Sequence, residues 1–142
     1  MRFRLRDPKG NLVEIPSFLT PPRIEKLPNW DKMVGKMPLH SYLREVKREL
    51  ELIRAAYKEK APITEEEYCR MFATSIMNYV LLIMARTYAS FVKQQEREKY
   101  ARENKEIAEE LKKVCRNAKS KEDLKKIIDF IKKHRLIPYY LV

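Results

Sequence analysis

The sequence predicts a mainly α-helical protein: a bundle or helical hairpin of three to four helices that follows an extended, proline-rich arm. Six of the eight prolines and both glycines fall within residues 1–38, and a helix cannot continue through prolines at that density. From residue 39 onward, apolar residues recur at three- and four-residue spacing between capping signals, which is typical of amphipathic helices. The length of 142 residues favours one helical domain, residues 39–142, with residues 1–38 as its arm.

The first fifteen residues predict a small β-hairpin. "RFRLR" at 2–6 alternates basic and apolar residues, "DPKGN" at 7–11 is a turn signal, and "LVEI" at 12–15 is a second extended run. An isolated hairpin and arm would bury too little surface to be stable. We therefore expect residues 1–38 to lie against the helices, against another subunit or along a ligand.

The first helix is predicted at about residues 41–60, with Ser41 as its N-cap. Pro62 ends it. One apolar stripe runs along this helix and comprises Leu43, Val46, Leu50, Ile53 and Tyr57.

The second helical region, residues 65–117, begins at a capping box in which Thr64 pairs with Glu67. It contains neither proline nor glycine. An unbroken helix of that length would extend about 75 Å, more than a compact domain of this size allows. We therefore expect either a break near residues 93–100 or an elongated molecule.

The last helix is predicted at residues 121–135, beginning at "SKED". Its inner face comprises Leu124, Ile127, Ile128 and Ile131. Pro138 prevents the helix from continuing, and the apolar residues 136–142 are predicted to form an extended tail that docks on the bundle.

Residues 71–92 form the most apolar segment, with Arg86 as the single charge. The segment is long enough to cross a bilayer, but a central arginine there costs at least about 2.5–3.5 kcal/mol, so we predict no transmembrane span. Residues 79–85 are apolar on every side of the helix, which predicts complete enclosure. Because the other helices offer single stripes, we expect copies of the protein or its own arm to complete that enclosure, in a homo- or hetero-oligomer of like subunits.

No catalytic motif is present, and we predict no enzymatic activity, no cofactor and no metal site. The two histidines, His40 and His134, lie in no metal-ligand spacing, and two glycines cannot build a phosphate-binding loop. A small enzyme would need acidic residues that converge only in three dimensions.

Cys69 and Cys115 are expected to be buried thiols in a reducing compartment, with a disulfide as the alternative. "MRFRLRDPKG" is not a signal peptide, so an intracellular location is expected.

The net charge of +11 predicts a polyanionic partner, either a nucleic acid or an anionic membrane surface. The alternative is the charged surface of a thermophilic protein. The candidate phosphate-binding residues are basic and lie in the arm, on the first helix or in the apolar segment: Arg2, Arg4, Arg6, Lys9, Arg23, Lys26, Arg44, Lys47, Arg48, Arg54, Lys58 and Arg86.

Each basic group also has a simpler interpretation. The arginines of "RFRLR" can protect a strand edge from aggregation. The cations of the first helix can form a solvated face balanced by Glu45, Glu49 and Glu51. No helix-turn-helix or RNA-recognition motif is present, so the sequence favours contacts with phosphates over reading of bases.

The order of "MRFRLRDPKG", "PSFLTPPRIEKLPNW" and "YVLLIMARTYASFV" resembles the layout of the major capsid proteins of filamentous archaeal viruses. The resemblance implies a basic, non-enzymatic, helical subunit of a virion nucleocapsid that wraps double-stranded DNA into a filament. No single residue is matched by a family motif. The alternative hypothesis is a cytoplasmic helical subunit of a thermophilic archaeal complex, of CRISPR-effector or replication-accessory type, that binds nucleic acid or other proteins.

Overall fold

The computed structural model describes residues 3–22 and 37–142, and in them the chain is mainly helical, as predicted. Strands β1 (Arg4–Arg6) and β2 (Leu12–Glu14) form an antiparallel hairpin, followed by a short 3-10 turn at Ser17–Leu19. Four α-helices follow, which are α1 (Leu39–Ala56), α2 (Glu65–Ser90), α3 (Gln94–Arg116) and α4 (Lys121–Lys133). A second 3-10 turn, Tyr139–Leu141, lies near the end of the chain.

The hairpin forms because its turn satisfies its own backbone groups. Asp7 Oδ1 accepts hydrogen bonds from the backbone N–H groups of Lys9 and Asn11, each at 2.9 Å. Gly10 has φ +85°, a conformation that glycine adopts without a steric penalty. Leu5 pairs with Val13 across the strands, and these two side chains face the helices. The hairpin thus contributes one face to the core and leaves the other face outside.

Helix α1 begins two residues earlier than predicted, at Leu39, with Pro38 rather than Ser41 at the N-cap. The Tyr42 N–H donates to Pro38 O at 3.0 Å, which closes the first helical turn. Proline suits this boundary because its fixed φ and missing N–H cost nothing before the first turn. The predicted stripe is displaced accordingly, since Leu39 and Tyr42 are buried while Tyr57 is exposed.

Helix α2 begins at the predicted cap, where Thr64 Oγ1 accepts a hydrogen bond from the Glu67 N–H at 3.1 Å. From Tyr79 to Ala85 every residue is at most 5% exposed. The elements around α2 are α1, α3, α4, β1 and the first 3-10 turn. The prediction that this segment is enclosed on every side is therefore confirmed.

A single chain achieves this enclosure. Helix α2 therefore requires no second copy to bury its apolar surface, and assembly with like subunits stays a prediction. Of the two expected sources of cover, a second copy or the chain's own arm, the described part of the arm supplies it, since the hairpin and the 3-10 turn pack on α2. By length and composition α2 could cross a membrane, but 72% of its apolar window is buried inside the fold. A helix buried in the core of a folded domain meets the same criteria of length and composition.

The long helical region breaks at residues 91–93, at the near edge of the predicted interval. Arg97 Nη1 donates to the backbone oxygens of Phe91 at 2.6 Å and Val92 at 3.2 Å. These hydrogen bonds satisfy carbonyl groups at the end of α2 that have no helical partner. The ring of Phe91 lies 5.8 Å from that of Tyr100, so the turn is also packed.

Helices α3 and α4 pack on α2 through narrow apolar faces. On α3 the buried residues are Ala108, Leu111 and Cys115, while Tyr100, Ile107 and Val114 are half-buried. Helix α4 begins at Ser120, whose hydroxyl accepts from the Asp123 N–H at 3.3 Å, and it buries Ile127 and Ile131. The tail docks on the bundle through Leu136, Ile137 and Leu141, which are buried. The prediction that the tail is extended is wrong at Tyr139–Leu141, because these residues form a 3-10 turn after Pro138.

Asn78 is a polar residue within the apolar part of α2. It is 6% exposed, and its Oδ1 accepts no hydrogen bond in the part of the chain that the structure describes. A buried acceptor without a donor loses its hydration without compensation, at a cost of about 1–3 kcal/mol.

The Asn78→Leu substitution should raise the free energy of unfolding by about 1–2 kcal/mol, because a leucine of similar size removes the unsatisfied acceptor. Urea titration followed by circular dichroism measures the change. Asn117, exposed at the end of α3, provides the control, and Asn117→Leu should change stability by less than about 0.5 kcal/mol. A destabilised Asn78→Leu protein would mean that the amide has a donor.

Burial also makes stability sensitive to alkaline pH. It raises the pKa of Tyr42, Tyr79 and Tyr100 from 10.0 to about 12, and that of Cys115 from 9.0 to about 12. The unfolded chain loses these protons at lower pH than the folded chain does. The stabilisation is therefore complete below about pH 9 and is lost progressively as the pH rises toward about 12.

We expect the urea midpoint to fall steadily between about pH 9 and pH 11. Tyr42→Phe removes one titrating group, so its midpoint should fall less steeply over the same interval. A midpoint independent of pH in both proteins would contradict the prediction.

Candidate nucleic-acid interface

The outer face of the hairpin carries predicted cations. Arg4 and Arg6 are exposed and share this face with Leu12 and Glu14, their partners across the strands. Lys9 is exposed in the turn. Arg6 Nη1 donates to Gly10 O at 2.7 Å, and the side chain remains exposed. Glu14 reduces the positive charge of this face at one position.

Arg86 lies where the hairpin meets the end of α2. It is half-buried and lines a cleft of about 370 Å³ together with Arg6, Asp7 and Ser90. Two guanidinium groups from different elements therefore border one space. Asp7 also borders it and adds a negative charge, while its Oδ1 accepts two backbone hydrogen bonds within the turn.

The cations predicted on the first helix divide into two groups. Arg44, Lys47 and Arg48 are exposed on α1, whereas Lys58 is exposed in the turn that follows, because the helix ends at Ala56 and not near residue 60. Arg54 instead forms an ion pair with Glu65 at 3.3 Å, and its guanidinium lies 5.5 Å from the centre of the Tyr68 ring. Arg54 thus connects α1 to α2, so the structure favours a packing role for it over contact with a phosphate. Arg2, Arg23 and Lys26 lie outside the described residues.

The structure also contains a larger cavity that the sequence did not indicate. It measures about 770 Å³ and lies between the end of α2, the first half of α3, the end of α4 and the tail. Its polar lining residues are Thr87, Tyr100, Asn104, Lys132, Arg135 and Tyr139. They come from four separate segments of the chain, so no local spacing could reveal them. Thr87 is the neighbour of Arg86, and both clefts therefore border the last turns of α2.

Arg135 borders this cavity in an unusual backbone conformation. Its φ is +50°, and among the described residues that are not glycine it alone has a positive φ. The Arg135 N–H donates to Lys132 O at 3.3 Å and the Leu136 N–H donates to Ile131 O at 3.2 Å. These bonds define a Schellman motif, in which the left-handed position is usually glycine. A residue with a Cβ atom costs about 1–2 kcal/mol there.

The inner wall of the cavity is ordered by hydrogen bonds. Asn104 Nδ2 donates to Tyr100 O at 2.9 Å, and Thr87 Oγ1 donates to Ile83 O at 2.9 Å. Burial raises the pKa of Tyr100 to about 12, although a hydrogen bond with Thr87 opposes this shift, so the phenol stays protonated at neutral pH. Tyr139 lies at the outer edge and is 91% exposed.

The cysteines are both buried free thiols, so the alternative of a disulfide is wrong. Burial raises the pKa of Cys69 and of Cys115, which disfavours the reactive thiolate. Within residues 3–22 and 37–142, no group of three or more His, Cys, Asp or Glu side chains could hold a metal ion.

Comparison of the chain with protein-family models, with curated proteins and with solved structures finds no match in any of the three.

The strain at Arg135 can be tested by comparing two substitutions that both remove its charge. Arg135→Gly should be more stable than Arg135→Ala by about 1 kcal/mol, because only alanine keeps the Cβ atom that disfavours a positive φ. Thermal unfolding measures the difference. Equal stability of the two variants would contradict a strained Arg135.

Proposed function

We propose that this protein is a non-enzymatic nucleic-acid-binding protein that packages double-stranded DNA by contacting its phosphates, as a subunit of a filamentous nucleocapsid. The observation that carries the proposal is the cleft bordered by Arg6 and Arg86, which continues onto the exposed Arg4 and Lys9. Guanidinium groups form paired hydrogen bonds with phosphate oxygens.

The charge distribution supports binding without sequence specificity. The net charge is +11, and besides the exposed cations of α3 and α4, others lie on both the hairpin and α1. Such a surface binds by releasing counterions from the nucleic acid, which makes affinity depend strongly on salt. Neither element offers a side-chain arrangement specialised for reading base edges.

Assembly into a filament would use surface outside the closed core. Among residues 3–22 and 37–142, the large apolar side chains that remain exposed in the single chain are Leu12, Leu52, Tyr57, Val92, Tyr139, Tyr140 and Val142. They are distributed over the hairpin, the end of α1, the turn at residues 91–93 and the tail. Contacts between copies through these residues would bury apolar surface without opening the bundle.

The affinity for a DNA duplex should fall steeply between about 50 and 200 mM salt, because each neutralised phosphate releases counterions. Fluorescence anisotropy with two unrelated duplex sequences measures both the salt slope and the specificity. Arg4→Gln, Lys9→Gln and Arg86→Gln should each reduce the salt slope by about 1.

Arg70 provides the matched control. It is exposed on α2 but is paired with Glu66 at 3.0 Å, and it is not among the candidate contacts. Arg70→Gln should leave the salt slope unchanged. An affinity for the duplex that does not change with salt would contradict the proposal.

Electron microscopy of the protein mixed with linear duplex DNA tests the packaging part separately. We expect filaments that form only when both components are present. Salt-dependent binding without filaments, and a stable complex with one defined protein partner, would instead favour the helical subunit of a thermophilic complex. The closed core of the single chain is compatible with that second function, since such a subunit must fold by itself.

A further inference from the structure

We propose that the cavity lined by Thr87, Tyr100, Asn104, Lys132, Arg135 and Tyr139 binds one nucleotide, with its base against Tyr139 and its phosphate at Lys132 and Arg135. The nucleotide is either free or the unpaired end of a nucleic-acid strand. This site goes beyond binding of the duplex backbone, because it would accept the base itself.

The size of the cavity suits such a ligand. Its volume of about 770 Å³ lies within the range of about 300–1,000 Å³ that is usual for small-molecule sites. The walls combine aliphatic side chains of α4 and the tail with a small number of polar groups, which is the usual composition of a site that fixes the orientation of its ligand.

Charge at the outer edge favours an anion. Lys132 and Arg135 border the cavity, and residues 130–142 contain no acidic residue. The cations also lie at the C-terminus of α4, where they interact favourably with the helix dipole. The interaction with the helix dipole does not require an arginine at position 135, however, where the backbone is left-handed and glycine would avoid the strain. A strained residue beside a cavity indicates a function that offsets its cost.

Aromatic and amide groups favour a base over an acyl chain. The Tyr139 ring is 91% exposed, so one face is accessible to a flat ligand, and stacking on such rings accepts any base. Within the described part of the chain, Asn104 Oδ1 accepts no hydrogen bond, while its Nδ2 is held by Tyr100 O. This oxygen can accept a hydrogen bond from an amino group of a base, whereas an acyl chain would leave it unsatisfied.

Isothermal titration calorimetry with adenosine monophosphate tests the proposal, with adenosine and ribose 5-phosphate as partial ligands. We expect saturable binding of the monophosphate, and weaker binding, by about tenfold or more, of either partial ligand, because each lacks one of the two contacts. No binding of the monophosphate at about 1 mM would overturn the proposal.

Two pairs of variants locate the site. Tyr139→Ala and Arg135→Gly should each weaken binding of the monophosphate by about tenfold. Their controls are Tyr57→Ala and Lys133→Ala, at exposed residues that do not line the cavity, and both should bind as the unchanged protein does. A loss of binding in Arg135→Gly cannot come from unfolding of the chain, because glycine suits a position with positive φ. The melting temperature of the variant verifies that it is folded. Equal losses in a variant and its control would overturn the proposal.

Competition distinguishes the two sources of the nucleotide. A short single strand that displaces adenosine monophosphate and binds more tightly identifies the end of a nucleic acid as the ligand, while failure to displace it identifies a free nucleotide. Either result supports a site that binds a base and its phosphate together. Salt-dependent binding of duplex DNA is measured in the same variants and should persist in Tyr139→Ala, so failure of this site and failure of the proposed function remain distinguishable.

Discussion

Enclosure of α2 on every side is the constraint on which the rest of the structure depends. Burial of each large aliphatic side chain stabilises the fold by about 1.5–3 kcal/mol, and α2 contains a continuous run of them that no single neighbour could cover. Three helices, a strand and a 3-10 turn therefore pack around it. The positions of these elements follow from α2, including that of a hairpin too small to be stable alone.

Both clefts occur where this enclosure ends. Ala85 is fully buried, whereas Arg86 and Thr87 are only half-buried. These two successive residues point away from the helix axis about 100° apart, so each borders a different cleft. The polar end of an otherwise apolar helix thus supplies one residue to the basic cleft beside the hairpin and one to the cavity beside the tail.

Local patterns in the sequence predicted most of the helices, because caps and apolar spacing act within a few residues. Thr64 and Ser120 are examples, since each side chain accepts a hydrogen bond from an N–H three residues onward.

The packing role of Arg54 was not predictable, because it depends on the crossing of α1 and α2. The cavity was missed for the same reason: Thr87, Asn104 and Tyr139 are distant in sequence and meet only through the packing of three elements. The conformation of Arg135 left no signal, because glycine marks such a position and arginine does not.

The connection between α2 and α3 has a consequence for how the chain folds. Only three residues separate these helices, and the Arg97 side chain donates hydrogen bonds to the backbone carbonyl groups of two of them, Phe91 and Val92. Contacts between neighbours in sequence form with little loss of chain entropy, and they speed folding. The α2–α3 pair is therefore suited to form early as a nucleus on which the distant hairpin docks later. The turn at residues 91–93 would then govern the rate at which the protein folds, whereas the hairpin would mainly govern the rate at which it unfolds.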